Sequence, residues 1–314
     1  MRVVALAGGV GGAKLVDGLA AHLSPDDLSV IVNTGDDFEY LGLQISPDLD
    51  TVCYTLAGLA NPTTGWGLQD ETWQTFETLS ALGGLDWFRL GDRDLATHLY
   101  RTEALKNGQS LSQVTADLCL RWGIAHPVYP MSADPVQTIV KTRQGEALGF
   151  QEYFVHQACQ PEVTGFEFRG VEHARPIPAA LEAIAAADLV ILAPSNPWVS
   201  IGPILAVPGY LAAIRQKPVI AVSPIIGGKA LKGPAAKMYQ ELGFTPSATA
   251  VARHYKDFLT GFVLDTVDAA ELDKIQQWRI IPVATDIIMK DRPDRARLAG
   301  EVLDFGETVL NRSQ

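Results

Sequence analysis

The side chains best placed to do chemistry fall within the first fifty residues, where "VALAGGVGGAKLVDG" from Val4 is followed by "VNTGDDF" and then by "SPDLDT". Glycines directly after an apolar, β-branched run let backbone N–H groups approach an anion closely, and a helix starting there adds the partial positive charge of its N-terminus. Two standard templates fit this stretch only in part. Counting G-x-x-x-x-G-K-[ST] from Gly8 puts Ala13 at the second glycine and Leu15 at the magnesium-binding hydroxyl, which excludes a P-loop. The dinucleotide pattern G-x-G-x-x-G fits Gly9 and Gly11 but meets Lys14 at its third glycine, where a long side chain crowds the helix–strand contact. What survives is a phosphate cradle of Gly9, Val10, Gly11 and Gly12, with Lys14 in the first helical turn as a mobile cation.

Asn33, Thr34, Asp36 and Asp37 close the second apolar run and so belong at the carboxyl edge of a strand beside the cradle, where ligands of open parallel sheets sit. An acid there can accept a ribose hydroxyl, but two adjacent carboxylates repel a neighbouring phosphate unless a cation lies between them. Magnesium resolves the conflict, since it takes one or two carboxylates together with phosphate oxygens. Asp48 and Asp50 then precede an apolar helical run. Helix N-capping accounts for one aspartate there, not for the whole acidic cluster.

The elements that must position these groups alternate between strand and helix. Val3 to Ala7 and Leu28 to Asn33 are short apolar runs separated by helical spacing from Ala13 to Leu23, a β-α-β unit that implies a parallel sheet. "AADLVILAPSNP", "KPVIAVSPIIGGK" and "WRIIPVAT" read as further buried strands followed by loops, with helices predicted at Pro203 to Arg215 and Pro234 to Leu242. Residues 65–125 carry amphipathic stretches such as "DETWQTFETLSAL" and "LSQVTADLCLRW" and form a mainly helical insertion. Two alternating runs between Val136 and Phe168 flank "RQGEA", a hairpin expected to extend the sheet in antiparallel fashion. The expectation is one composite α/β domain over 1–314, with a Rossmann-like, mostly parallel sheet and helices on both faces.

Composition narrows the function classes. A formal net charge of -11 argues against nucleic acid, whose backbone demands a basic surface, but allows one nucleotide in a local pocket. No segment reaches the roughly 18 uninterrupted apolar residues of a membrane span, and the N-terminus runs into a strand pattern without a signal-peptide cleavage site, so a cytoplasmic protein is expected. Three cysteines, Cys53, Cys119 and Cys159, lie far apart with no C-x-x-C pair, which suggests buried thiols rather than a disulfide framework or structural zinc.

Eight segments in order, "GGVGGAKL", "NTGDD", "PDLDTVCYTLAG", "GWGLQDETW", "WFRLGDRDLATHLYRTEAL", "LSQVTADLCLRWG", "APSNPWVSIGPIL" and "SPIIGGKALKGPA", resemble the 2-phospho-L-lactate transferase family of coenzyme F-420 biosynthesis, from Val3 to about Ala250. The family includes phosphoenolpyruvate transferase variants. The resemblance implies a magnesium-dependent reaction in which a guanosine-diphosphate-linked three-carbon acid donates its phosphoryl-acid group to the terminal ribityl hydroxyl of the deazaflavin Fo, with release of GMP. It makes Asp36 and Asp50 the metal ligands and catalytic carboxylates, Asp50 also a contact for Fo, and Arg89 the basic group at the deazaflavin. The insertion at 65–125 then forms part of the acceptor site. The glycine loop, Asn33, Thr34, Ser195, Asn196, Ser200, Gly227, Gly228 and Lys229 line the nucleotide side. A homodimer is implied as well.

Some polar residues carry two readings. Asp92 in "GDRD" either caps the helix "LATHLYRTEAL" or contacts the acceptor. His98 and Arg101 share a face of that helix that can look toward the acceptor, although a surface histidine is the commoner outcome. Trp66, Trp73, Trp87 and Trp122 can wall a flat ring, with core packing favoured for at least two. Two other function classes stand beside the transferase. One is a regulatory protein resembling the uridine-diphosphate-sugar-binding gluconeogenesis factors, whose acidic pair is followed by glycine-serine-arginine rather than the "DDFEYLGLQ" found here. The other is a nicotinamide dehydrogenase, which leaves "PDLDT" and "GDRD" unexplained.

Overall fold

A computed structural model describes residues 1–313. Seven parallel strands form its central sheet: β1 (Val3–Ala7), β2 (Leu28–Val32), β3 (Val128–Pro130), β4 (Leu189–Leu192), β5 (Val219–Val222), β6 (Gly261–Asp265) and β7 (Ile281–Thr285). Their spatial order is β7-β6-β5-β4-β1-β2-β3, every neighbouring pair parallel. This is the doubly wound arrangement, and the chain reverses direction across the sheet between β1 and β4, the point at which such folds open a crevice.

The strands are apolar on both faces because both faces are covered. Val4, Leu6, Ile31, Val190, Leu192 and Phe262 meet Ala180, Ile184, Tyr210, Val251 and Tyr255 from helices on one side. The intervening residues Val3, Ala5, Ala7, Val30, Leu189 and Ile191 meet Leu15, Val16, Leu19, Val52, Leu298 and Val302 on the other. The helix after β1, Gly9–His22, is crossed by the last helix, Arg292–Ser313, at a close approach: a Cβ on Gly18 would lie 2.1 Å from the Arg295 carbonyl. Asp17 holds that crossing through Arg292 at 2.9 Å and Arg295 at 3.0 Å.

Within 65–125 the chain forms helices Gln74–Ala81, Asp92–Lys106 and Leu111–Arg121. The hairpin expected after Val136 is present, but not as an extension of the central sheet. Gln137–Thr142, Ala147–Gly149 and Val163–Arg169 form a separate three-stranded antiparallel sheet. The helix predicted from Pro203 to Arg215 is two helices, Gly202–Ala206 and Tyr210–Ile214, because Pro208 interrupts the chain and Gly209 takes a φ of 103°. Among the described residues no helix is long and apolar enough to cross a membrane.

Candidate active site

At the switch point between β1 and β4, where doubly wound sheets open a crevice, the glycine loop packs against 194–200. Helix Gly9–His22 begins with three glycines in four residues, a poor helix start by propensity. Close approach explains them: a Cβ on Gly11 would stand 2.4 Å from the Pro194 carbonyl, and one on Gly12 would stand 2.5 Å from Ser195 Oγ. Gly9 has a φ of 64°, a left-handed conformation that glycine adopts freely. Two of the first-turn amides are taken, Gly8 N–H by Ser195 Oγ at 3.1 Å and Gly9 N–H by Asp48 Oδ1 at 2.7 Å. Helix geometry leaves Val10 N–H and Gly11 N–H without intrahelical acceptors, donors of the kind that can hold an anion.

Asp36 and Asp48 form the acidic centre beside this turn. Helix Pro47–Leu56 starts with proline at its first position and acids in its first turn, both favourable there, and it carries Asp48 toward the loop. Asn33 donates its side-chain amide to Asp48 Oδ2 at 2.9 Å while its own oxygen accepts Gly35 N–H, which fixes the strand end. Burial pushes the Asp36 carboxyl well above the usual range, and the Asp48 charge pushes it further. Burial likewise raises Asp48 to about 6, against the donors Asn33 and Gly9. Asp36 Oδ1 is buried with no hydrogen-bond partner, as is Asp37 Oδ1, whereas Asp37 Oδ2 accepts from Ser46 at 2.7 Å.

Asp50 lies in a different set of contacts. Both of its oxygens are held by the Arg101 guanidinium, Oδ2 at 3.1 Å and Oδ1 by a shorter contact, with His98 Nδ1 3.8 Å away. His98 Nε2 faces Asp94 at 3.4 Å, and the Tyr54 hydroxyl donates to Asp94 Oδ1 at 2.7 Å. Burial alone lowers the Arg101 pKa, but Asp50 more than offsets this and the net direction is upward. Thus His98 and Arg101, 1% and 2% exposed, do not form a surface pair. The acid brought next to Asp36 is Asp48; the structure brings Asp50 to Arg101 instead.

The insertion supplies the outer wall. Asp92 caps a helix, but not its own. Its carboxylate accepts from Thr72 Oγ1 at 2.5 Å and from the first amides of Gln74–Ala81, Gln74 and Thr75, at 3.0 Å each. Glu71 in turn accepts Arg93 N–H at 2.9 Å and Asp94 N–H at 2.7 Å, capping Asp92–Lys106. Arg89 is exposed and rests over Trp73, 4.4 Å from the ring centre, and over Phe76 at 5.5 Å. Trp87 packs with Phe38, Tyr40 and Phe88, Trp122 packs edge-on against Tyr54, and Trp66 is exposed.

The other residues expected on the nucleotide side differ in their surroundings. Ser195 and Ser200 are buried; Ser195 Oγ donates to the Gly8 carbonyl at 2.7 Å, and a Cβ on Gly8 would fall 2.7 Å from Ser200 Cβ. Thr34 is buried. The Asn196 oxygen accepts Trp198 N–H at 3.0 Å, so Asn196 shapes the turn. Gly227 N–H is taken by Asp268, Gly228 has a φ of 76°, and Lys229 is exposed. Lys14 does not lean over the loop: its Nζ donates to the Met289 carbonyl at 2.6 Å, and burial lowers its pKa. Lys232 reaches Thr64 O at 2.6 Å, which places a second ammonium near Gly65 and Val10. Cys53 and Cys119 are buried free thiols with sulfurs 3.7 Å apart.

A doubly wound parallel sheet with a glycine-rich helix start and a buried acidic pair at its switch point defines an α/β protein of the Rossmann-like class. The chain belongs to the family described as 2-phospho-L-lactate transferase CofD, whose model matches residues 3–300. A phosphoenolpyruvate transferase of Streptomyces griseus is 45% identical over 98% of this chain and 99% of its own length. The 2-phospho-L-lactate transferases of Methanopyrus kandleri and Methanosarcina acetivorans are 41% and 39% identical, over 99% and 98% of this chain and 99% and 100% of theirs. The likeness therefore extends past Ala250 into the C-terminal region. In fold, the chain is similar to a crystal structure of a upf0052 family protein from Bacillus halodurans, with a TM-score of 0.64 at 14% identity over 96% of this chain and 98% of that one. Membership makes this protein a transferase of the 2-phospho-L-lactate and phosphoenolpyruvate type.

Proposed function

We propose that this protein transfers a phospho-three-carbon-acid group, 2-phospholactyl or its enolpyruvyl counterpart, from a guanosine-diphosphate-linked donor to the ribityl hydroxyl of the deazaflavin Fo, releasing GMP in coenzyme F-420 biosynthesis. What carries it is a helix start whose Val10 and Gly11 amides have no intrahelical acceptor, lying beside the buried carboxylates of Asp48, which is bonded to Gly9, and Asp36. A diphosphate lying there has donors on one side and acids on the other, an arrangement that requires a cation between.

The residues fit magnesium. Asp36 Oδ1 is buried without a partner, and Asp36 and Asp48 both have carboxyls raised by burial, which a divalent ion reverses. Among the described residues no group of three or more His, Cys, Asp or Glu side chains is placed to hold a metal ion by itself. Two carboxylates completed by phosphate oxygens suit magnesium. We assign Asp36 and Asp48 to it in preference to Asp36 and Asp50. When bound, the ion neutralises the diphosphate and its leaving oxygen.

The ribityl oxygen forms a bond to the phosphorus carrying the acid, the bridging P–O bond to GMP breaks with its electron pair, and the hydroxyl proton leaves to a nearby carboxylate or to water. The Val10 and Gly11 amides hold the departing GMP phosphate, as fixed dipoles aimed at developing charge. Asp50, locked by Arg101, faces the acceptor side, and Arg89 on its Trp73 and Phe76 platform supplies a cation at the deazaflavin. Small charged substrates suit a cytoplasmic enzyme, working as a homodimer. Purified protein with Fo, magnesium and each guanosine-diphosphate-linked acid should yield a phosphodiester product and GMP, and no product with any donor would sink the assignment.

A further inference from the structure

Five acidic side chains, those of Asp36, Asp37, Asp48, Asp50 and Asp94, surround the crevice, and among the described residues Arg101 is the sole buried lysine or arginine. Its guanidinium grips both oxygens of Asp50, contacts His98 Nδ1 at 3.2 Å and donates to the Gln44 carbonyl at 3.3 Å. A planar fork matched to a carboxylate is the strongest form of such a pair. The influence of Arg101 extends to Asp37 and Asp94, but the groups acting on Asp36 are Asp48, Asn33 and Asp37, and those acting on Asp48 are Asn33 and the Gly9 amide. The acidic cluster is thereby divided. The Asp50 half carries its counter-ion within the protein, gripped by both oxygens, whereas no lysine or arginine side chain pairs with Asp36 or Asp48 among the described residues, and Asp36 Oδ1 has no partner at all.

We propose that Arg101 is a positioning residue that acts as a built-in counter-ion, reserving Asp50 for the acceptor side and confining added divalent cations to the Asp36 and Asp48 half of the crevice. The inference rests on the reading that this crevice takes a divalent cation with a diphosphate. Without Arg101, Asp50 becomes one more uncompensated carboxylate two residues from Asp48, and the cluster should attract cations more strongly.

Manganese alone is the probe, titrated into the full-length protein without substrates and counted by the electron paramagnetic resonance of the free ion. Arg101→Met should bind manganese at least about threefold more tightly than wild type, or bind a second ion, because a positive charge has left the cluster. The double variant Asp50→Asn/Arg101→Met removes both charges and should stay within about twofold of wild type. Unchanged or weaker binding by folded Arg101→Met overturns the proposal, since a merely structural arginine would only loosen the site. Loss of tenfold or more in the double variant also overturns it, by making Asp50 a direct ligand. Arg101→Met strands a buried carboxylate, so if circular dichroism shows it unfolded, the double variant decides alone. Wild-type protein that binds no manganese would remove the cation reading itself, whereas wild-type binding with the wrong response in the variants removes only the role of Arg101.

Discussion

Asp48 accepts the backbone N–H of Gly9 at 2.7 Å, so an acid from the second helix is fastened to the first residue of the first helix at the mouth of the crevice. The bond orients the loop and the carboxylate together. It leaves Val10 and Gly11 as the next free donors and presents the carboxylate beside Asp36, and any substitution at Asp48 acts on both.

Asp48→Asn should therefore lower kcat at least about a hundredfold with the fold retained, since it removes a charge opposite the transferring phosphoryl group while keeping a side chain of the same shape. Circular dichroism and a magnesium titration of turnover check this, and activity within a factor of a few of wild type would return the metal-binding role to other residues.

Asp50→Asn should behave differently, because it strands the Arg101 guanidinium, which is 2% exposed. Breaking a buried pair by removing one partner costs about 3–5 kcal/mol. Thermal denaturation should show a clear drop in Tm for Asp50→Asn, along with lost turnover. A variant that melts with wild type would mean that the pair contributes little to folding.

Asp48 also sets a pH dependence. Burial raises its carboxyl from the ordinary 3.8 to about 6. A folded pKa above the unfolded one means that the folded protein holds the extra proton between these values. Stability then falls as pH rises through that window, by about 3 kcal/mol once the fall is complete. In chelator, the stability of wild type relative to Asp48→Asn should decline from about pH 4 to about pH 7 and then level off. Added magnesium should reverse the decline at neutral pH. A difference between the two proteins that stays flat from acid to neutral pH would contradict the buried charge.

The parallel sheet was legible because its strands are short apolar runs between helical periods, and the glycine loop because its pattern narrowly misses two templates. β3 and β6 were not named among the expected strands; β3 is three residues long, directly after the helical insertion, too short to show a period. The choice between Asp48 and Asp50 was not legible at all, since both are aspartates in the first turn of one helix, and only the direction each faces separates them. The shared face of His98 and Arg101 is legible in the spacing, but their burial around Asp50 is hidden for the opposite reason. Polar side chains on a helix read as a solvated face, and a buried ion pair breaks that rule without changing the spacing. Local capping patterns point Asp92 at its own helix, whereas the amides it accepts from, Gln74 and Thr75, lie 18 and 17 positions earlier in the chain, beyond the reach of such patterns.

Arg89 offers a test of the acceptor wall. It is exposed and rests on Trp73 and Phe76. Arg89→Ala should leave Tm nearly unchanged, since exposed cation–π contacts contribute about 0.5–1 kcal/mol. It should raise the Michaelis constant for Fo about tenfold and that for the donor little. A larger effect on the donor would move Arg89 to the nucleotide side.

Asp92 and Glu71 test whether the corner of the insertion binds substrate or only holds shape. Asp92 is held to a pKa of about 2 by the Thr72 hydroxyl and by the amides of Thr75 and Gln74. A depressed carboxylate stabilises at pH values above its unfolded pKa and loses that effect as pH falls through the folded one, so the cap should persist at neutral pH and weaken only in strong acid. Asp92→Ala should speed amide hydrogen exchange in Gln74–Ala81, a helix with no buried residue of its own, and Glu71→Ala should do so at the start of Asp92–Lys106. Both variants disturb the same wall, so capping alone requires them to raise the Michaelis constant for Fo by similar factors. A much larger rise for Asp92→Ala than for Glu71→Ala would mean that the Asp92 carboxylate reaches the acceptor directly.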